Sequence, residues 1–80
     1  MKIDVIAFGI AKDILNGQST SIELPDNSTV GTLKEQLCNT FPEFQKLKSL
    51  AIAVNAEYQN DQFTLSEKDE IVIIPPVSGG

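Results

Sequence analysis

The eighty-residue sequence has no histidine. That removes at once the commonest general base and the commonest metal ligand at neutral pH. It has one cysteine, Cys38, which excludes an internal disulfide and a cysteine-built zinc site. Basic residues are few: six lysines stand against eleven acids, for a net charge of −5. Only Lys46 and Lys48 are close together, so the basic stripe of a nucleic-acid binder is missing. An acidic domain is better suited to steering toward a basic protein partner. No apolar run approaches the ~20 residues of a membrane-spanning helix. Met1-Lys2-Ile3-Asp4 puts an acid inside the first apolar stretch, with no small-residue cleavage site of the signal-peptide kind. The expectation is a cytoplasmic protein whose partners include neither nucleic acid nor membrane. Eighty residues make one domain. A chain of this size buries roughly 60–65% of its unfolded surface, giving an adequate but small core.

The signatures of an enzyme are missing as well. Without histidine there is no Ser/His or Cys/His pair, and no GxxxxGK[ST] phosphate loop is present. Acids on short loops read as solvated charges rather than as a general acid/base pair. Cys38 sits beside Leu37, one step off the apolar stripe of a predicted helix. That place fits a half-buried small hydrophobe better than a functional thiol.

What is present begins at the C-terminal end. Ile71-Val72-Ile73-Ile74 is a β-branched run that predicts a central strand buried on both faces. Pro75 and Pro76 stop it, because neither can donate to a ladder. The chain then runs through Val77 and Ser78 to Gly79-Gly80. The predicted organisation is a domain over residues 1–75 and a flexible tail over 76–80. Six residues past the strand can project ~20 Å. Glycine allows close backbone approach, so Val77, Ser78, Gly79 and Gly80 suit threading into a narrow channel. The reactive group is the Gly80 carboxylate, a poor electrophile until a partner converts it to an acyl-adenylate with ATP.

Upstream, residues 2–8 read as a strand, with Ile3, Val5 and Ala7 on one face and Lys2, Asp4, Ile6 and Phe8 on the other. Gly9 to Gly17 reads as a connection with a short turn of helix over 11–15. Residues 19–24 alternate as a half-buried strand ended by Pro25, antiparallel to the first. Ser28 or Thr29 is the predicted cap of a helix. Val30, Leu33, Leu37 and Phe41 form its apolar stripe. Pro42 ends the helix near Asn39 or Thr40. Phe44, Leu47 and Leu50 read as a short second turn, residues 50–54 as a strand ended by Asn55, and Phe63 and Leu65 as a brief strand or core contacts. A helix joining strands two and three, with the first and last strands parallel in the centre, gives an α+β, β-grasp fold. It is a mixed sheet with one main helix packed on one face.

Strand parity places Phe8, Val72 and Ile74 together on the side of the sheet away from the helix. An apolar cluster rimmed by charge at the root of a functional tail is a candidate partner site.

Four stretches fall in register along nearly the whole chain: Phe8 to Gly17, Ile52-Ala53-Val54-Asn55 with Glu57-Tyr58, Lys68-Asp69-Glu70-Ile71, and Ile74-Pro75-Pro76-Val77-Ser78-Gly79-Gly80. Together they resemble the small, sulfur-carrier subunit of molybdopterin synthase. The resemblance implies a ubiquitin-like β-grasp fold. It implies that Gly80 is adenylated by a ubiquitin-activating-type adenylyltransferase, which uses the ATP, and is then converted to a thiocarboxylate. The tail would enter the large subunit and give sulfur to a pterin precursor, forming the molybdopterin dithiolene in a heterotetramer. On this reading the chain binds no cofactor or metal, and it is the non-catalytic sulfur donor of a transferase complex. Its partner interface would comprise Phe8, Val72, Ile74 and Lys12. Lys12-Asp13 stands where the family often has Arg-Glu, which keeps the charge signs but not a bidentate contact. The alternatives are a sulfur carrier for thiamine thiazole synthesis, a ubiquitin-like protein modifier, and an interaction module with an unreactive tail.

Overall fold

A computed structural model describes residues 1–46 and 50–74. Leu47, the end of the last strand at Pro75 and Pro76, and the predicted tail lie outside the described residues. The elements are β1 (Lys2–Ala7), α1 (Gly9–Leu15), β2 (Ser19–Glu23), α2 (Val30–Thr40), a 3-10 turn (Pro42–Lys46), β3 (Ala51–Val54), β4 (Glu57–Tyr58) and β5 (Ile71–Ile74).

The strands form one mixed sheet in the order β2-β1-β5-β3-β4. β1 pairs antiparallel with β2 and parallel with β5, and β5 pairs antiparallel with β3. The two most apolar strands thus lie side by side in the middle, and α2 links β2 to β3. This is the β-grasp arrangement expected from the strand and helix order.

The spacing of Val30, Leu33 and Leu37 makes α2 the main helix of the core, and all three are fully buried. Thr29 is its cap, accepting from the Thr32 backbone N–H at 3.3 Å, and the helix ends at Thr40, just before Phe41-Pro42. Phe41 and Phe44 then meet edge to face, with ring centroids 6.1 Å apart. Against this layer the sheet contributes Ile3, Val5, Ile22, Ile52, Val54, Ile71 and Ile73. Leu65 closes the core, and its segment is tied to the start of α2 by backbone bonds Leu65 to Ser28 (2.8 Å) and Val30 to Phe63 (2.9 Å). Cys38 is half-buried and packs against the core, as its position beside the stripe implies.

Three expectations change. β1 stops at Ala7, because Phe8 caps α1 in an extended conformation and Gly9 turns the chain at φ 57°. The connection after it is a true helix, anchored by buried Ala11 and Leu15 one turn apart. β5 is not buried on both faces: Ile71 and Ile73 are sealed, whereas Val72 and Ile74 are half-buried. The reason is that the core cluster, with every buried helical residue, lies on one side of the sheet, so among the described residues the other side has only neighbouring strands for cover.

A fourth element escaped the sequence reading. Val54-Asn55-Ala56-Glu57 is a two-residue hairpin turn with both central residues at positive φ, 52° and 70°. That is the pattern of a type I′ turn, whose usual signal is Asn-Gly. Alanine in the second place hides the hairpin and the two-residue β4 behind it.

Candidate functional site

The open face of the sheet is built by register. Ile6 lies beside Val72, Val72 beside Ala53, and Ala53 beside Tyr58. Side chains directly across strands share a face, so these four form one apolar row running from β1 to β4. One step toward the C-terminal end of β5, Ile74 lies beside Ala51. The parallel register Ala7–Ile73, continued by one residue, sets Phe8 level with Ile74. The two large aromatic groups at the ends of these rows are the most open: Phe8 is 59% and Tyr58 69% exposed. Ala53, in the middle, is only 8% exposed, because its taller neighbours cover it.

Charge borders the apolar rows on the opposite side. Asp4 and Glu70 are exposed and level with one another in the same register. The Ser21 hydroxyl donates to Asp4 at 2.6 Å. The Glu70 backbone N–H donates to the Asn55 side-chain oxygen at 2.9 Å, and the Asn55 amide donates to Asp69 at 3.0 Å. Asn55 therefore ties the β3–β4 hairpin to the start of β5 and sets Tyr58 in line with Val72.

Phe8, Val72 and Ile74 are thus brought together as strand parity predicts. Ile6, Ala51, Ala53 and Tyr58 complete the face. Ile6 shares the parity of Phe8 and was readable. Tyr58 was not, because its strand is two residues long and its turn lacks glycine. Lys12 is exposed on α1, which packs against β1, β2 and β5 through its buried side. It belongs to none of the strand rows that make the apolar face. Val77, Ser78, Gly79 and Gly80 lie outside the described residues. Gly80 is six positions beyond Ile74 in sequence. Among the described residues no group of three or more Cys, Asp or Glu side chains could hold a metal ion. No described helix is long and apolar enough to cross a membrane.

The model of the ThiS family matches residues 5–80. This chain belongs to the ThiS family. Among its relatives, the molybdopterin synthase sulfur carrier subunit of Dictyostelium discoideum is 36% identical over 80 residues, covering 95% of this chain and 93% of that one. The subunit of the same name from Caenorhabditis elegans is 32% identical, covering 100% and 99%. Among solved structures, SAMP1 from Haloferax volcanii superposes with a TM-score of 0.83 at 18% identity, covering both chains fully, a likeness of fold. A complex of subunits 1 and 2 of molybdopterin-converting factor from Helicobacter pylori contains a chain 27% identical, with a TM-score of 0.67 and full coverage of both. The ubiquitin-like β-grasp fold and the molybdopterin synthase sulfur-carrier relatives therefore agree with the residues that first suggested them.

Proposed function

We propose that this ThiS-family chain is the sulfur-carrier subunit of molybdopterin synthase. The observation that carries the reading is the apolar face over β1, β5, β3 and β4, lying on the strand from which the Gly79-Gly80 end continues. The sulfur-carrier names of its relatives, matched over more than nine-tenths of their length, and the two-subunit complex of a structural neighbour support it. A carrier needs a docking surface and a chain end that can reach the partner, and on this reading the apolar face and the Gly79-Gly80 end supply them.

The chemistry runs through one group. The Gly80 carboxylate attacks ATP on an adenylyltransferase partner, releasing pyrophosphate and forming an acyl-adenylate. A nucleophile at the sulfide level then displaces AMP and leaves a thiocarboxylate. In the large subunit the thiocarboxylate sulfur bonds to a carbon of the pterin precursor and displaces an oxygen substituent. Water then cleaves the resulting thioester, leaving the sulfur on the pterin and restoring the Gly80 carboxylate. Two such transfers complete a dithiolene, which fits two small and two large subunits in one assembly. Phe8, Val72, Ile74 and Tyr58 hold the domain on its partner while Val77, Ser78 and Gly79 occupy the channel. The site of action in this reading is the cytoplasm.

The test has two stages. With an adenylyltransferase, ATP and a sulfur donor, the intact mass should rise by the exchange of one oxygen for one sulfur. Addition of the large subunit and pterin precursor should then return the original mass and yield the sulfurated pterin. A ladder of covalent conjugates would favour a protein modifier instead. Loading without transfer to the pterin would assign the carrier to another pathway, thiazole synthesis among them.

A further inference from the structure

The sheet has two edges, and β2 forms one of them. Its backbone polarity follows from the bonds at its ends. Leu24 and Met1 exchange both ladder bonds, at 2.9 and 2.6 Å, and the Ala7 N–H reaches the Gln18 carbonyl at 2.8 Å. Between them the register pairs Ile3 with Ile22 and Val5 with Thr20. Antiparallel ladders alternate bonded and non-bonded pairs, so Thr20 and Ile22 direct their backbone groups to β1. Ser19, Ser21 and Glu23 direct theirs outward. The edge therefore presents donors and acceptors at every second residue, and among the described residues no strand receives them.

Beside this edge lies a groove of about 250 Å³. Thr20 and Ile22 line it from the strand, and Gln36, Thr40 and Phe41 from the end of α2. Edge strands are usually guarded by proline, lysine or a bulge. Ser19–Glu23 contains neither proline nor lysine and pairs with β1 without a break in register. We propose that the β2 edge receives an extended segment of a partner protein as a sixth strand, with apolar side chains in the groove and lysine or arginine at its flanks.

The backbone groups dictate a strand, since only an extended chain matches their two-residue repeat. The groove dictates alternation, because every second side chain of an added strand would point toward Ile22 and Phe41. The charge of the occupant follows from the surroundings. Glu23 is the charged residue of β2, and its place opposite Lys2 in the register puts its side chain on the outer face. On the outer face of the same strands Asp4 and Glu23 outnumber Lys2. A second copy of this chain, also at −5, would bring like charge to the edge. The β2 edge is separate from the apolar rows of Phe8, Val72 and Tyr58, so this inference stands whether or not the tail carries sulfur.

The test is a titration of the isotopically labelled full chain with an acetylated, amidated peptide, Lys-Val-Thr-Val-Thr-Val-Lys, followed by amide NMR. Shifts are expected at Ser19, Ser21 and Glu23 and at Gln36, Thr40 and Phe41, with slowed exchange of the three edge amides. The same peptide N-methylated on the amides facing β2 should not bind. Ser21→Pro should weaken binding roughly tenfold or more by deleting a central donor, with the amide spectrum of the core retained, because that N–H is not used by β1. No shifts at millimolar peptide, or shifts confined to Phe8, Val72 and Tyr58, would overturn the proposal. Undiminished binding by the N-methylated peptide, or by one with glutamate in place of lysine, would overturn it too. A peptide-free dimer centred on Ser21 would replace the partner segment by a second copy.

Discussion

Phe8 and Tyr58 stand at opposite ends of the open face, and each exposes most of its ring. Large aromatic groups with so little cover in the isolated chain contribute little to its core and much to a desolvated contact. Phe8→Ala and Tyr58→Ala should each weaken binding to the large subunit by ~1–3 kcal/mol, the range of interface anchors. Ile74→Ala should weaken it too, with a larger cost to the fold, since that side chain is half-buried. Titration calorimetry on each variant, paired with a thermal melt, separates the two effects. Unchanged affinity for all three would move the docking surface off this face. A collapsed melt for Phe8→Ala or Tyr58→Ala would contradict the exposure on which the argument rests.

At the scale of the element, the β3–β4 hairpin turns on two residues whose positive φ angles have different consequences. Ala56 is held at φ 70°, where its Cβ crowds the following carbonyl. Ala56→Gly relieves that contact and should raise stability by roughly 0.5–1 kcal/mol after the greater freedom of the unfolded glycine is counted. Asn55, at φ 52°, also gains conformational ease from glycine but loses its bonds to Glu70 and Asp69. Asn55→Gly should therefore lower stability, by about 0.5–1.5 kcal/mol. Opposite signs at adjacent positions, read from urea midpoints at constant slope, are the expected outcome. Stabilisation by both would mean that the Asn55 side chain does not hold the hairpin to β5.

For the whole molecule, the helices lie on one side of a five-stranded sheet, and the buried core closes with Ile71 and Ile73 on β5. Folding and chemistry should then separate cleanly. Deleting Gly80 should abolish sulfur transfer while leaving the melting temperature within error of the full chain, because the described core does not depend on it. Gly79→Val should block loading or transfer more than it weakens docking, since on the proposed reading any side chain there would have to pass the partner's channel. Wild-type turnover by Gly79→Val would remove the threading argument. A large fall in melting temperature on deletion of Gly80 would make the tail part of the fold.

Some of this was legible in the sequence because it is local. The three-four-four spacing of Val30, Leu33, Leu37 and Phe41, the cap at Thr29 and the stop at Pro42 define α2 without reference to any other element. The alternation in β1 and β2 assigns their faces, and the missing histidine removes whole classes of chemistry. Other features depend on what lies across space. Ile71-Val72-Ile73-Ile74 has no polar alternation to read; parity tells that Val72 and Ile74 share a face, and the placement of the helices on the other side decides that this face remains half-open. The two-residue β4 exists because β3 pairs with it through a turn that lacks the usual glycine, and Tyr58 joins the face by that pairing alone. The open edge of β2 is likewise a consequence of strand order. Periodicity in a sequence tells which side chains share a face, but coverage of that face depends on what packs against it, and that is decided by contacts between residues distant along the chain.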